Sequence, residues 1–421
     1  MKIAVIGGGS TYTPELIEGF ARRAGVLPVD ELVLQDVAAD RLDVVGGLAG
    51  RILDRHGVGG LRTTTSLESA VDGAAAVLVQ LRVGGQRTRL VDETLPGRFG
   101  LLGQETTGPG GFAKALRTVP VVLEIADVVA ARAQPGAWIV DFTNPVGIVT
   151  RALLDAGHRA VGLCNVAIGF QRRLAARFGV EPDRVRLDHA GLNHLSWIRR
   201  VLVDGVDRLP ALLAGDAAAD LAAETEIPAE LLRTLGAIPS YYLHYFYCTD
   251  RAVKAQASGP QRAEQVLEIE RTLLRMYADP ALDTKPALLE QRGGAYYSEA
   301  AAALVTSLLT GDGGHHYVDV RNDGTIAGLP DEAVVEVPAT VDRDGPHPAP
   351  VAPLAPDLLG LVQAVTAYEV LTIDAARTGD RTVALRALLA NPLVRQWDVA
   401  VPLLDALLEA NRALLPRFSG G

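Results

Sequence analysis

The sequence predicts an α/β fold that opens with a parallel sheet. Three features carry that reading. Short apolar stretches alternate with helix-patterned ones, a glycine turn separates the first strand from the first helix, and the second strand ends in an acid. Of the 421 residues, 48 % are hydrophobic and 21 % charged, which suits a globular chain of about two to three domains, or one large α/β domain with elaborations.

Residues 2–6 form the first buried strand. Gly7, Gly8, Gly9 and Ser10 make a tight turn, and a helix begins at Pro14 with Thr13 as its cap. Residues 31–36 are the second strand, closed by Asp36. Strand, glycine turn, helix, strand and acid, in that order, make a dinucleotide-binding unit of the Rossmann type. Glycines let the backbone approach a pyrophosphate, and the helix start favours its negative charge. The expected cofactor contacts are Gly7, Gly8, Gly9, Ser10, Thr11, Asp36 and Arg41. Tyr12 stands where the pattern has a third glycine. Asp36 favours NAD+ over NADP+, while Arg41 nearby keeps the second open.

Residues 74–81 are a third buried strand. A polar segment follows, with Arg87, Arg89, Asp92, Glu93, Gln104 and Glu105, and it runs into Gly108, Gly110 and Gly111. So many glycines predict a loop, since each weakens a helix. A loop this long in a compact enzyme is usually functional. A helix is expected over 112–131 and a strand over 137–142. Asn144 then lies at a strand's carboxyl end, where open α/β sheets bind ligands. A helix over 146–156 and a strand over 160–163 lead to Cys164 and Asn165 at a second such end.

A helix is expected over 168–178, and a strand leaves Gly191-Leu192-Asn193-His194. Asp204-Gly205 marks a hairpin turn. Residues 211–236 suit short helices, and 238–247, with four of the ten tyrosines, suit another. Further helices run to about residue 310, broken near 290–298. Strands follow at 317–324 and 333–338, then a Pro-rich loop at 341–356 and helices at 357–377, 380–390 and 396–414.

Several function classes are disfavoured. A net charge of −10 without a basic cluster argues against a nucleic-acid surface. No uninterrupted run of about 18 apolar residues predicts a membrane span. Two cysteines and no secretory signal predict a reduced, cytoplasmic setting.

Cys164 sits at the strand end where a nicotinamide should arrive. His194 is flanked by Gly191 and Asn193 rather than by core residues. A thiolate and an imidazole can share a divalent metal, yet two protein ligands are too few for a closed structural site. Such a site is open, completed by water or by a sugar's hydroxyls, which the metal would acidify.

At these residues the chain resembles glycoside hydrolase family 4, most of all its 6-phospho-β-glucosidases. The segments that carry the resemblance run in family order over nearly the whole chain. They are residues 5–10 with Thr13-Pro14, Arg89 with Asp92-Glu93, Gly103-Gln104-Glu105-Thr106, Thr143-Asn144-Pro145, Cys164-Asn165-Val166, Gly191-Leu192-Asn193-His194, Tyr242-Leu243 with Tyr245, Arg292-Gly293-Gly294-Ala295, and Val335-Glu336-Val337-Pro338.

The resemblance implies a fold like lactate and malate dehydrogenases. Residues 1–165 would be the NAD-binding domain, and 166–421 an α/β domain for substrate and metal, with C-terminal helices. It implies NAD+ and a divalent metal, usually Mn2+, held by Cys164 and His194. The implied reaction hydrolyses 6-phospho-β-glucosides, such as cellobiose 6-phosphate, to glucose 6-phosphate and an aglycone. It runs through oxidation at C3, metal-stabilised elimination at C1–C2, water addition and re-reduction; the family departs from the paired-carboxylate glycosidase scheme. Tyr242 aligns with the family's base, and Tyr241 is the alternative. Arg89, Glu105, Asn144, Asn165, Asn193 and Arg292 are the implied substrate contacts, Arg89 through a guanidinium fork suited to phosphate. Asn165 after the cysteine points to phosphorylated β-glucosides, and Ala167 stands where such members usually carry proline. A homodimer or homotetramer is expected. The competing readings are a family 4 enzyme for another or unphosphorylated glycoside, a 2-hydroxyacid dehydrogenase on the same fold, and a nucleotide-sensing scaffold.

Overall fold

Six strands at the start of the chain pair in parallel, in the spatial order β3-β2-β1-β4-β5-β6. They are β1 (Lys2–Ile6), β2 (Glu31–Gln35), β3 (Leu61–Thr64), β4 (Ala76–Val79), β5 (Trp138–Asp141) and β6 (Ala160–Gly162). This is the Rossmann order, with its reversal between β1 and β4. β1 and β4 are apolar almost throughout because helices cover both faces of the sheet. The computed structural model describes residues 1–293 and 296–418.

The sheet does not end at β6. It continues antiparallel through β11 (Gly314–Arg321), β12 (Val334–Asp342), β7 (Val185–Leu192), β8 (Leu195–Val203) and β10 (Ile238–Pro239). Two short strands, β9 (Val206–Asp207) and β13 (Gly345–Pro348), pair with β8 and β12 and complete a 13-stranded sheet. β13 falls inside the expected Pro-rich loop. Its Pro346 and Pro348 are tolerated because the strand lies at an edge of the ladder. Asp204 and Gly205 turn β8 into β9 with positive φ at both residues, as the hairpin signal predicts.

Two expectations fail locally. Thr13 does not cap the first helix; it is the first helical residue of Thr13–Arg22, and its hydroxyl accepts from Gln80 Nε2 at 2.9 Å. The glycines at 108, 110 and 111 do not form a loop; they open the helix Gly108–Arg132. A Cβ on Gly110 would strike the Gln104 carbonyl, and one on Gly111 would lie 2.5 Å from the Thr106 carbonyl carbon. Close backbone contact therefore outweighs the helix penalty of glycine. The stretch before it is partly helical too, over Gly85–Thr94.

Among the described residues one helix, Pro356–Thr378, is long and apolar enough by composition to cross a bilayer. It packs against Gly108–Arg132 and Arg381–Ala390, burying Leu358, Val362 and Ile373. Full burial of each such side chain contributes about 1.5–3 kcal/mol.

Candidate active site

A cleft of about 1090 Å³ opens over the carboxyl ends of the parallel strands. One end is the glycine turn. Gly7 has φ 86°, and a Cβ there would collide with the Gln80 carbonyl; one on Gly9 would lie 2.8 Å from Asp36 Oδ2. Glycine at both positions lets the turn lie directly against Gln80 and Asp36. Asp36 follows β2 and accepts from Gly9 N–H at 2.9 Å and Ala38 N–H at 3.0 Å. Arg41 donates to the Gly9 carbonyl at 3.2 Å and lies 3.6 Å from Glu270.

The other end is aromatic. β7 and β8 are joined by a two-residue turn, Asn193-His194, with Leu192 opposite Leu195. His194 has φ 63°, an unusual backbone for a non-glycine residue and one that two-residue hairpins require. Its ring is stacked on Tyr242, and Tyr241 and Tyr245 complete the wall. The tyrosines do not form the single helix expected of 238–247. A 3-10 turn, Tyr241–Leu243, precedes a short helix, His244–Tyr247, and this sets Tyr241, Tyr242 and Tyr245 on the cleft while Phe246 turns toward a smaller cavity.

Between the two ends lies a band of charge. Glu105 is bonded to Arg82, to Lys114 Nζ at 2.7 Å and to Arg89 at 3.3 Å. Burial alone would raise its pKa, but Arg82, Lys114 and Arg89 outweigh burial and hold the carboxyl well below its usual range. Burial and Arg82 push Lys114 down to about 7 against the pull of Glu105. Glu270 gathers Gln86 at 3.0 Å and Arg292 at 3.1 Å. Cations outnumber carboxylates around the cleft although the whole chain is acidic. Low-dielectric walls focus that local field on an anionic ligand.

Of the residues expected from sequence, Gly7, Gly9, Ser10, Asp36, Arg41, Arg89, Glu105, Asn144, Asn165, His194, Tyr241, Tyr242 and Arg292 line this one cleft. Gly8 faces β2, where a Cβ would lie 2.8 Å from that of Leu34. Thr11 is fully buried, and its carbonyl accepts from Tyr277. Cys164 is 3 % exposed, within hydrogen-bond reach of the Asn193 side chain. Asn193 lines the smaller cavity of about 40 Å³ on the other side of His194. Gly294 and Ala295 of the Arg292 motif lie outside the described residues.

Arg89 is more occupied than a free phosphate ligand would be, since Glu93 at 2.7 Å and Glu105 both hold it. Arg262 was missed by sequence reasoning. It lines the cleft from the first turn of the helix Arg262–Tyr277, and its guanidinium donates to Gln265 Oε1 at 3.2 Å and to the Gln291 carbonyl at 2.8 Å, with no salt bridge to a carboxylate among the described residues. No local signal singles it out. Lys114 did carry a signal, a cation in a run of Ala and Leu on an apolar helix.

The donor chemistry suits a divalent metal. Burial pushes the His194 imidazole down to about 3, so it is neutral, and among the described residues its ring is held by the stack on Tyr242 rather than by a hydrogen bond. Burial, with Glu336 and Asp319 nearby, pushes the Cys164 thiol well above its usual value. A cation in reach of the thiol offsets that cost, because coordination deprotonates a thiol. The buried Oδ1 of Asn144, in the cleft wall, also has no hydrogen-bond partner among the described residues.

The sequence model of the family 4 glycosyl hydrolases matches residues 2–180, and that of the family 4 C-terminal domain matches residues 189–394. The chain belongs to glycosyl hydrolase family 4. This family 4 chain is 41 % identical to a probable 6-phospho-beta-glucosidase of Bacillus subtilis, over 99 % of this chain and 98 % of that one. A structure of the Thermotoga maritima 6-phospho-beta-glucosidase with NAD and glucose-6-phosphate matches with a TM-score of 0.93 and 36 % identity, covering 98 % of this chain and 99 % of that one. A second structure of that protein, with manganese, NAD+ and glucose-6-phosphate, matches at 0.92, with the same identity and coverage.

Proposed function

We propose that this family 4 chain is an NAD+- and metal-dependent 6-phospho-β-glucosidase, releasing glucose 6-phosphate from substrates such as cellobiose 6-phosphate. The observation that carries the reading is the single cleft that joins the glycine turn and Asp36 to His194 and Tyr242 across a cationic band. Relatives that match over their full lengths are named for this activity, which disfavours a 2-hydroxyacid dehydrogenase.

The glycine turn and Asp36 hold the nucleotide, and Cys164 with His194 hold the cation, for which Mn2+ is the first choice. When bound, NAD+ supplies a reversible hydride acceptor and the cation a Lewis acid that makes the proton beside a sugar ketone acidic. Tyr242 Oη removes that proton from C2, and Tyr241 packs against its ring. Burial pushes the Tyr242 phenol well above its usual pKa, so it acts as base only with positive charge beside it. Arg262 and Arg89 bind the 6-phosphate, while Glu105, Asn144, Asn165 and Arg292 orient the sugar. Residues 1–165 carry the nucleotide site together with Cys164, Arg89, Glu105, Asn144 and Asn165, and 166–421 bring His194, Tyr242, Arg262 and Arg292 to the metal and sugar, in a cytoplasmic homodimer or homotetramer.

The test is a substrate panel with Mn2+ and NAD+ under reducing conditions. It sets 4-nitrophenyl β-glucoside 6-phosphate against its unphosphorylated and α-linked counterparts. The expected result is cleavage of the phosphorylated β-glucoside alone, abolished by EDTA, with no net NADH. Cleavage of only unphosphorylated compounds, or steady NADH accumulation, overturns the reading.

A further inference from the structure

Behind the cleft lies a row of four residues that sit opposite one another across four strands. Gly162 of β6 pairs with Asp319 of β11, Asp319 with Glu336 of β12, and Glu336 with Gly191 of β7. The two end members are glycines for steric reasons. A Cβ at Gly162 would lie 2.7 Å from that of Asp319, and one at Gly191 would strike the Leu195 carbonyl. Cys164 is two residues beyond one end of the row, and Asn193-His194 begin two residues beyond the other. Two fully buried carboxylates therefore stand between the segments that carry the thiol and the imidazole.

Asn193 ties the row together. Its Nδ2 donates to Glu336 Oε2 at 3.1 Å and to Asp319 Oδ2 at 3.4 Å, and its side chain is within hydrogen-bond reach of the Cys164 thiol. Glu336 is fixed in turn by His189, whose Nε2 is 2.7 Å from Oε1. Asn193 is thus pinned from behind and lines the rear cavity rather than the cleft.

We propose that Glu336, oriented by His189, is a positioning residue for the metal site. It clamps the Asn193 amide, and through it sets both the Cys164 thiol and the strained turn that presents His194. The proposal rests on the function proposed above and adds residues that act without touching substrate. A partner one bond removed from a ligand, as Asn193 is from Cys164, changes metal affinity by about 10–100-fold when lost, and Glu336 acts one bond further back.

The experiment measures Mn2+ binding by the free-Mn2+ electron paramagnetic resonance signal, on full-length protein and without substrate. NAD+ affinity and thermal unfolding are followed on the same samples. Glu336→Gln, close in size, is compared with Asn193→Ala and with the double variant. Expected are a loss of Mn2+ affinity of about 10–100-fold in Asn193→Ala and of about 10-fold, the lower end of that range, in Glu336→Gln, NAD+ binding within twofold of the parent, and no further loss when Glu336→Gln is added to Asn193→Ala. Full additivity in the double variant overturns the route through Asn193. Parent-like Mn2+ binding by Glu336→Gln, in a protein that still cleaves phosphoglucosides with Mn2+, overturns this inference alone. A parent that binds no Mn2+ overturns the function and this inference together. His189→Gln, expected to weaken Mn2+ in the same direction, decides the matter should Glu336→Gln not fold.

Discussion

The imidazole of His194 stacks on the phenol of Tyr242, ring centroids 3.6 Å apart and planes 17° from parallel. The proposed base and the proposed metal ligand are thereby held as one unit, and Tyr241, 4.6 Å from Tyr242 and tilted by 32°, stands outside the stack.

Tyr242→Phe keeps the stack and removes only the hydroxyl. The expected loss in kcat is about 10²–10⁴-fold, the usual contribution of a general base, with Mn2+ affinity unchanged. Tyr241→Phe should lose roughly tenfold or less, the scale of one hydrogen bond. Steady-state kinetics with saturating Mn2+ and NAD+ decide between them, and an equal or larger loss in Tyr241→Phe transfers the role of base.

Among the described residues Arg262 faces the cleft bonded to neutral groups only, Gln265 and the Gln291 carbonyl, whereas Arg89 is shared by two carboxylates. Arg262→Ala should raise KM for 6-phosphorylated substrates by about 10–100-fold, since a hydrogen bond to a charged group is worth about 1.5–3 kcal/mol, and leave kcat within a few-fold. Arg89→Ala should also lower stability, because Glu93 loses its cation and Glu93 Oε2 accepts from Ala263 N–H at 2.8 Å in the first turn of the helix Arg262–Tyr277. A thermal-unfolding comparison separates the two arginines.

Asp36→Ala removes the acceptor at the end of β2. NAD+ affinity should fall by about 10-fold or more, on the same energy scale, and the preference over NADP+ should narrow because Arg41 remains beside the lost carboxylate. Parallel titrations of the two nucleotides by protein fluorescence measure both effects. An unchanged NAD+ affinity would remove Asp36 from the nucleotide site.

Asp141, at the end of β5, is fully buried. Desolvation raises its pKa from 3.8 to about 8, against hydrogen bonds from Thr143 and Thr150. Between those values the folded protein keeps a proton that the unfolded chain releases. Stability from this group is therefore greatest below pH 4 and falls as pH rises toward 8, by at most about 1.4 kcal/mol per unit. Asp141→Asn mimics the protonated form. Its melting temperature should exceed that of the parent at pH 8, with the difference shrinking toward pH 5; a constant difference across that range would count against the assignment.

Local chemistry made the first half of the molecule readable. β1, the glycine turn and Asp36 announce a nucleotide site within the first 36 residues, because their geometry depends on neighbours in the chain. Cys164 and His194 stood out by residue type and place, a thiol at a strand end and an imidazole beside Gly191 and Asn193, and the family resemblance strengthened that pairing. Sequence alone does not reveal that Asp319 and Glu336 lie between them, since that register pairs strands more than 100 residues apart. Gly110 and Gly111 misled for a related reason. Their purpose is contact with Gln104 and Thr106, and helix propensity is blind to such contacts. Arg262 looks like any exposed helical arginine until the helix is docked over the cleft.

The sheet that carries β6 into β11 without a break has a consequence for how this molecule works. Many two-lobed enzymes close on their ligands by swinging about a hinge. Here the strand ends bearing the nucleotide turn and the hairpin bearing His194 are hydrogen-bonded through one ladder. Opening it like a clamshell would tear backbone pairs, so the spacing between the two ends of the cleft is built in before any ligand arrives. The open side of the cleft is held differently, by discrete ties rather than a ladder: Ala263 N–H donates to Glu93, Arg292 to Glu270 and Arg262 to the Gln291 carbonyl.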